Sequence, residues 1–233
     1  MTTVPSDREV TSSGGLPEWT RLLVVVAHPD DESFGLGAVL AGFVAAGAEI
    51  DVLCFTHGEA STLHGVDGDL REIRAGELAE AARRLGLAHV DLLDEPDGAL
   101  GATGSQQLLA AVRRAVARRS AEGLVVFDDT GITAHPDHVA ATSAAIEVGR
   151  ELGLPVLAWT LPLAVTDTLR AEYGAPFVGR PDTEIDLVVP VDRATQLQAV
   201  AAHPSQAVPG SVLWRRLELL GPVEHLRWLH RTD

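Results

Sequence analysis

Short, apolar, β-branched runs recur along this chain, and each is followed by a stretch with helical spacing. The runs lie at residues 22–27 (LLVVVA), 50–55 (IDVLCF), 89–93, 124–127 (LVVF) and 156–160. Runs this short and this apolar mark strands buried on both faces of a parallel sheet. Helical patterns fill the gaps at 34–46, 70–85, 106–119 and 136–152, and Gly86 stops the strongly amphipathic second one. Residues 57–69 read as a surface loop. The alternation predicts an α/β fold: a doubly wound, Rossmann-like, mostly parallel sheet with right-handed crossovers and helices on both faces. Beyond about residue 161 the pattern changes. Residues 184–191 alternate like an exposed strand, 193–203 read as a helix, and 214–227 read as a last helical segment broken at Gly221-Pro222. The expected organisation is a single domain over 21–233, with a C-terminal extension from about 161. Residues 1–20, rich in Thr, Ser, Gly and Pro, read as a mobile leader.

Composition narrows the function classes. The net charge is −15, and all 18 basic residues are arginine. A surplus of acid speaks against nucleic acid or an anionic membrane as the main partner, because phosphate binding needs clustered cations. Aromatic residues make up only 4%, which disfavours base-stacking platforms. The single cysteine, Cys54, excludes an internal disulfide and Cys-rich zinc modules, and reads as core packing. No apolar run is long enough to span a membrane. No secretory signal pattern is visible, so a cytoplasmic setting is expected.

In open α/β sheets, ligands bind at the carboxyl ends of the strands. Two histidine–acid clusters fall at such ends. His28-Pro29-Asp30-Asp31 follows the first strand, and His135-Pro136-Asp137-His138 follows the strand at 124–127. Pro136 suits a first helical turn, making His135 the N-cap and placing His138 one turn in on the same face. Imidazole nitrogen and carboxylate oxygen are zinc ligands, and a catalytic zinc keeps three protein ligands and an open position. The clusters can supply a His₂Asp set, a spare carboxylate to take a proton and a spare histidine to steady an oxyanion. Such N/O sets also accept other divalent ions, ferrous iron among them. Plain caps are the bland alternative for Asp30, Asp31 and Asp137, since acids at helix starts suit the macrodipole.

The segment AHPDDE (Ala27–Glu32) with HPDH (His135–His138) about a hundred residues later resembles the LmbE-like de-N-acetylases. That superfamily includes the N-acetylglucosaminyl-phosphatidylinositol de-N-acetylases (PIG-L) and the deacetylases of mycothiol and bacillithiol synthesis. Thr56–Glu59 (THGE), Arg74-Ala75-Gly76-Glu77-Leu78 and Ala202–Gln206 (AHPSQ) match further, so the likeness runs from about residue 22 to 206. The resemblance implies a zinc-dependent hydrolase that removes acetyl from an N-acetylated amino sugar or sugar conjugate. By motif, His28, Asp31 and His138 would hold zinc and Asp30 would be the general base. His135 would stabilise the oxyanion or protonate the leaving amine, with Asp137 orienting it. Arg74 would hold the substrate's sugar or its appended group. Some relatives carry a tyrosine two residues before the first histidine of HPDH, where this chain has Thr133.

Rival readings remain beside these. Arg74 could pair with Glu77 or Glu80 on an exposed face. Glu32 reads as a helix cap that tunes the site, His57 and His64 as solvated loop residues that could form a substrate rim, and Asp97-Gly98 as a turn first and a rim residue second. Asp128 or Asp129 could orient a ligand histidine. His203 and Gln206 either reach the pocket or serve structure. Trp214 and Trp228 read as core or as contacts of a homo-oligomer. A weak binding protein on the same fold, or an amidase for a larger thiol or sugar conjugate, are the alternative functions. A nucleotide-binding regulator is disfavoured by the absence of G-x-G-x-x-G and of G-x-x-x-x-G-K-[ST].

Overall fold

The computed structural model describes residues 15–62 and 66–232. Most of the leader and His64 lie outside the described residues. From Trp19 onward the approach to the sheet is anchored. The Trp19 ring stacks on Phe43 at 5.8 Å, and the Thr20 backbone N–H donates to Glu122 at 2.8 Å.

The first half alternates strand and helix: β1 (Arg21–Val26), α1 (Asp31–Phe34), α2 (Gly37–Ala45), β2 (Glu49–Thr56), α3 (Leu70–Leu85) and β3 (His89–Glu95). There follow α4 (Ser105–Arg119), β4 (Gly123–Phe127), the single turn α5 (Gly131–Ala134), α6 (Pro136–Leu152) and β5 (Val156–Thr160). The remainder comprises α7 (Leu163–Tyr173), β6 (Leu187–Pro190), α8 (Ala194–Val200), α9 (Val212–Leu220) and β7 (Val223–His230). Seven strands form one sheet in the order β3-β2-β1-β4-β5-β7-β6. The first five are parallel, while β7 runs antiparallel to both β5 and β6.

Alternation along β1 divides the core between the two faces. Leu22, Val24 and Val26 pack with α2 and the residues around Trp159, whereas Leu23 and Val25 pack with α4 and α6. Strand order reverses between β1 and β4, which pair directly at Leu22–Gly123 through Val24–Val125. Their carboxyl ends therefore open a crevice at the topological switch point, the position where this architecture binds ligands.

Three readings need correction, two of them in the second half. Residues 223–230 form a strand, not a helix; Gly221 ends α9, and the chain turns back to pair with β5 and β6. Residues 163–173, to which the sequence pattern assigns no element, are helical. The stretch at 34–46 is two helices, α1 and α2, because the chain bends at Gly35 and Leu36. Gly35 has no room for a side chain there: a Cβ would stand 2.5 Å from the Phe127 ring.

Candidate metal centre

The turn after β1 is tied by its own side chains. Asp31 accepts hydrogen bonds at Oδ2 from the backbone N–H groups of Ala27 (3.1 Å) and His28 (2.9 Å). Asp30 holds φ at +123°, and its backbone N–H donates to Glu32 at 3.0 Å. After β4 the chain again enters left-handed conformations, at Ile132 (φ 63°) and Ala134 (φ 56°). Positive φ is costly for any side chain and most for a β-branched one. Of the four such non-glycine residues among those described, Asp30 and Ile132 line this crevice and Ala134 directly precedes His135. Backbone strain thus concentrates where the two motifs meet. His135 then caps α6, its Nδ1 accepting from the Asp137 N–H at 3.3 Å, with Pro136 at the first helical position.

Three groups converge. His138 Nε2 stands 3.2 Å from His28 Nδ1 and 3.1 Å from Asp31 Oδ1, and His28 Nδ1 is 3.7 Å from Asp31 Oδ2. The outer ring nitrogens assign the tautomers. His138 Nδ1 donates to the Gly131 carbonyl at 3.1 Å. His28 Nε2 faces Asp97 Oδ1 at 3.0 Å and Asp137 Oδ2 at 3.4 Å. With their protons on the outside, both rings turn lone pairs inward, beside a carboxylate. Three acceptors facing one another require a cation between them. Ligands at 2.0–2.2 Å from a tetrahedral zinc stand about 3.3–3.6 Å apart; the two contacts to His138 Nε2 fall just short of that range, and Asp31 offers its second oxygen to His28 just beyond it. The residues present therefore fit a divalent ion. Without one, a proton takes its place: the Asp137 and Asp97 carboxylates overcome the effect of burial and push the His28 pKa up to about 10. Despite burial, His138 and His28 together hold the Asp31 carboxyl well below the usual carboxylate range.

Two further groupings are weaker candidates. His28, His135 and His138 each offer a ring nitrogen within 4.8 Å of the others, as do His28, Asp97 and Asp137 through one atom each. His135 Nδ1 is engaged as a cap. Asp97 and Asp137 act as acceptors, for His28 and for the backbone N–H groups of Ala60, Gly98 and Leu100. These carboxylates fix the ring and tautomer of His28 from behind, as partners of metal-binding histidines do.

That arrangement revises two expectations. The Asp137 carboxylate orients His28, not His135. The His135 pKa is lowered, by burial first and then by the neighbouring His28 and His138, so Asp137 does not hold the ring as an imidazolium. Since Nδ1 accepts from the backbone, a neutral His135 ring carries its proton on Nε2. Asp97, read from sequence as a turn residue first and a rim residue second, lines the cleft; what sequence reasoning missed is its role behind His28, since the DG turn marks its loop but the meeting with His28 is a long-range contact.

Asp30 lines the cleft with His28, Asp31, His135 and His138. Burial pushes its carboxyl pKa up to about 6, against the pull of Arg74, while the Asp31 charge adds to the rise. Arg74 is buried and not part of an exposed surface pair. It meets Asp30 Oδ2 at 3.0 Å and donates to the carbonyls of Gly58 (2.6 Å) and Pro29. Gly58, at φ +64°, leaves the space that this guanidinium occupies. Glu80 pairs instead with Arg83 and Arg84. Arg74 borders the cleft, but its guanidinium is engaged by the protein itself.

Behind this layer, buried His203 Nε2 lies 2.8 Å from Glu32, and Glu77 accepts from Ser205. The AHPSQ segment thus braces the HPDDE turn through Glu32, while Gln206 reaches the cleft and accepts from Ser61 at 2.7 Å. Asp128 does not orient a ligand histidine; it caps the turn at Thr130 and pairs with Arg180 and Arg227. The cleft encloses about 560 Å³.

The profile of the family described as GlcNAc-PI de-N-acetylase (PIG-L) matches residues 23–148. The chain belongs to this family. It is 31% identical over 227 residues to the 1D-myo-inositol 2-acetamido-2-deoxy-alpha-D-glucopyranoside deacetylase 2 of Saccharopolyspora erythraea, covering 79% of this chain and 82% of that protein. The corresponding deacetylase of Kineococcus radiotolerans is 28% identical, covering 95% of this chain and 81% of that one. Among solved structures, a triple mutant of a deacetylase in the teicoplanin biosynthetic pathway superposes with a TM-score of 0.68. That protein is 24% identical, covering 92% of this chain and 99% of its own, and attests the fold. As a PIG-L family member, the chain shares its seven-stranded, mostly parallel sheet with deacetylases.

Proposed function

We propose that the protein is a zinc-dependent deacetylase that hydrolyses the acetamide of an N-acetyl amino sugar or its conjugate. The observation that carries the reading is the meeting of His28 Nδ1, His138 Nε2 and the Asp31 carboxylate, from the turns after β1 and β4, in one cleft. The family's named relatives, which act on a 2-acetamido-2-deoxyglucoside, supply the substrate class.

His28, Asp31 and His138 would hold the ion, with Asp97 and Asp137 fixing His28 and the Gly131 carbonyl fixing His138. A divalent ion there supplies a Lewis acid for the amide carbonyl and makes water acidic enough to attack near neutral pH. Asp30 takes the proton as the water oxygen attacks the carbonyl carbon, and returns it to the nitrogen as the C–N bond breaks. Acetate and the free amine leave. A carboxyl near pKa 6 suits both transfers. His135 donates through Nε2–H to the carbonyl oxygen as negative charge develops there. Arg74 positions Asp30 rather than the sugar. A cleft of about 560 Å³ is in the range of drug-sized ligands, which leaves room for a sugar conjugate.

The test is acetate and free-amine release from a panel of N-acetylglucosamine conjugates by zinc-loaded protein, with acetylated alkylamines as controls. Turnover of the sugars that fails after chelation and returns with zinc supports the reading. Metal-loaded protein that releases acetate from none of them overturns it.

A further inference from the structure

One wall of the cleft has no part in the acetamide chemistry. Phe127 lies 4.9 Å from the His138 ring, Trp159 lies 5.3 Å beyond Phe127, and the Arg216 guanidinium carbon stands 5.2 Å from the Trp159 ring centre. All four side chains line the cleft. A cation is therefore set two largely buried aromatic rings away from the candidate metal centre.

Arg216 is only 8% exposed. One terminal nitrogen donates to the Phe34 carbonyl at 2.6 Å, but Nε is buried without a hydrogen-bond partner. Among the described residues no carboxylate forms an ion pair with it. Its acidic neighbour Glu224 pairs with Arg193 at 2.5 Å and accepts from Trp159 at 2.7 Å. Burial accordingly lowers the Arg216 pKa to about 10, against the opposing effect of Glu224. Buried Arg74 differs, since Asp30 balances it. A buried charge without a paired carboxylate is costly, and a guanidinium offers oxyanions a planar fork of donors.

We propose that Arg216 binds a carboxylate carried by the substrate, joined to the scissile acetamide through an apolar stretch that follows the cleft wall. This rests on the deacetylase reading and narrows it to acidic, partly apolar glycosides of N-acetylglucosamine. A singly charged carboxylate suits the site better than a phosphate, because Asp30, Asp31 and Asp97 already make the cleft acidic.

The experiment uses two matched substrates, the 4-carboxyphenyl and 4-carbamoylphenyl glycosides of N-acetylglucosamine, with the full zinc-loaded chain. The carboxylate should be preferred by about tenfold or more in kcat/KM, mostly through KM, and R216M should erase the preference. Equal kcat/KM on the two, or a preference that survives R216M, overturns the proposal while leaving the deacetylase reading intact. Calorimetry with 4-methylbenzoate and 4-methylbenzamide forms an independent arm. Benzoate binding that is lost in R216M supports the Arg216 site even if neither glycoside is cleaved, whereas benzoate bound equally by R216M overturns it and points to the metal. Should R216M not fold, R216Q carries the same comparison.

Discussion

Asp97 Oδ1 stands 3.0 Å from His28 Nε2, on the side of the ring opposite the candidate ion position. Despite burial, the contact with His28 holds the Asp97 carboxyl at about 2. A carboxylate in this position fixes the tautomer and raises ligand basicity. Asp97→Asn should weaken zinc about 10–100-fold in a chelator competition, the usual size for such a partner. Unchanged affinity would show that Asp137 alone orients His28.

Asp30→Asn should keep zinc content near wild type while kcat falls by orders of magnitude. In the wild type, activity should rise with pH through about 6, as Asp30 loses its proton. Parallel loss of metal and activity would make Asp30 a ligand and not a base.

Arg74→Met separates a positioning role from substrate binding. The guanidinium lowers the Asp30 pKa, so its removal should move the acidic limb of the pH–rate profile to higher pH and depress kcat. It also leaves the Pro29 and Gly58 carbonyls without this donor, at about 1–3 kcal/mol each. A raised KM with an unmoved acidic limb would return Arg74 to the sugar.

His135→Ala should lose about 10²–10³ in kcat, the typical size for one oxyanion donor. Zinc content should hold, and loss of the N-cap should cost about 1 kcal/mol in stability. Because burial and the neighbouring histidines keep the ring neutral, His135 itself sets no falling alkaline limb. A limb that H135A abolishes would restore the imidazolium.

In the metal-free protein His28 titrates from a raised pKa of about 10 against an ordinary 6.5. The proton it holds stabilises the fold fully below pH 6.5, and that contribution is lost as pH rises through about 10. Melting in EDTA should thus fall over this window, and His28→Asn should flatten the slope. Zinc must displace the same proton, so its apparent affinity should climb with pH across the window. A slope unaffected by H28N would remove His28 from the linkage.

The strands of the parallel half and both histidine motifs were legible because each is a local signal: an apolar run, then a cap, a proline and a helix. The strand β7 was hidden for a physical reason. Its core-facing positions include Glu224, a buried acid satisfied by Arg193 and Trp159, so the alternation of apolar residues is broken. Helix α7 was hidden by its β-branched Val165, Thr166 and Thr168 and its lack of a side-chain cap. At the site, the burial of Arg74 and the partners of Asp97 and Asp137 depend on chain segments far apart in sequence. Residue type and spacing carry no record of such meetings.

The placement of the two motifs on adjacent strands β1 and β4 makes the ion a reporter on folding. His28 and His138 are 110 positions apart and meet only when those strands pair. The unfolded chain has no such cluster, so zinc bound to the native state should raise its stability by mass action, about 2.7 kcal/mol when free zinc is a hundred times the dissociation constant. Contacts of such long sequence separation are slow to form. During refolding, zinc capture should therefore lag the appearance of helix and coincide with closure of the central strand pair.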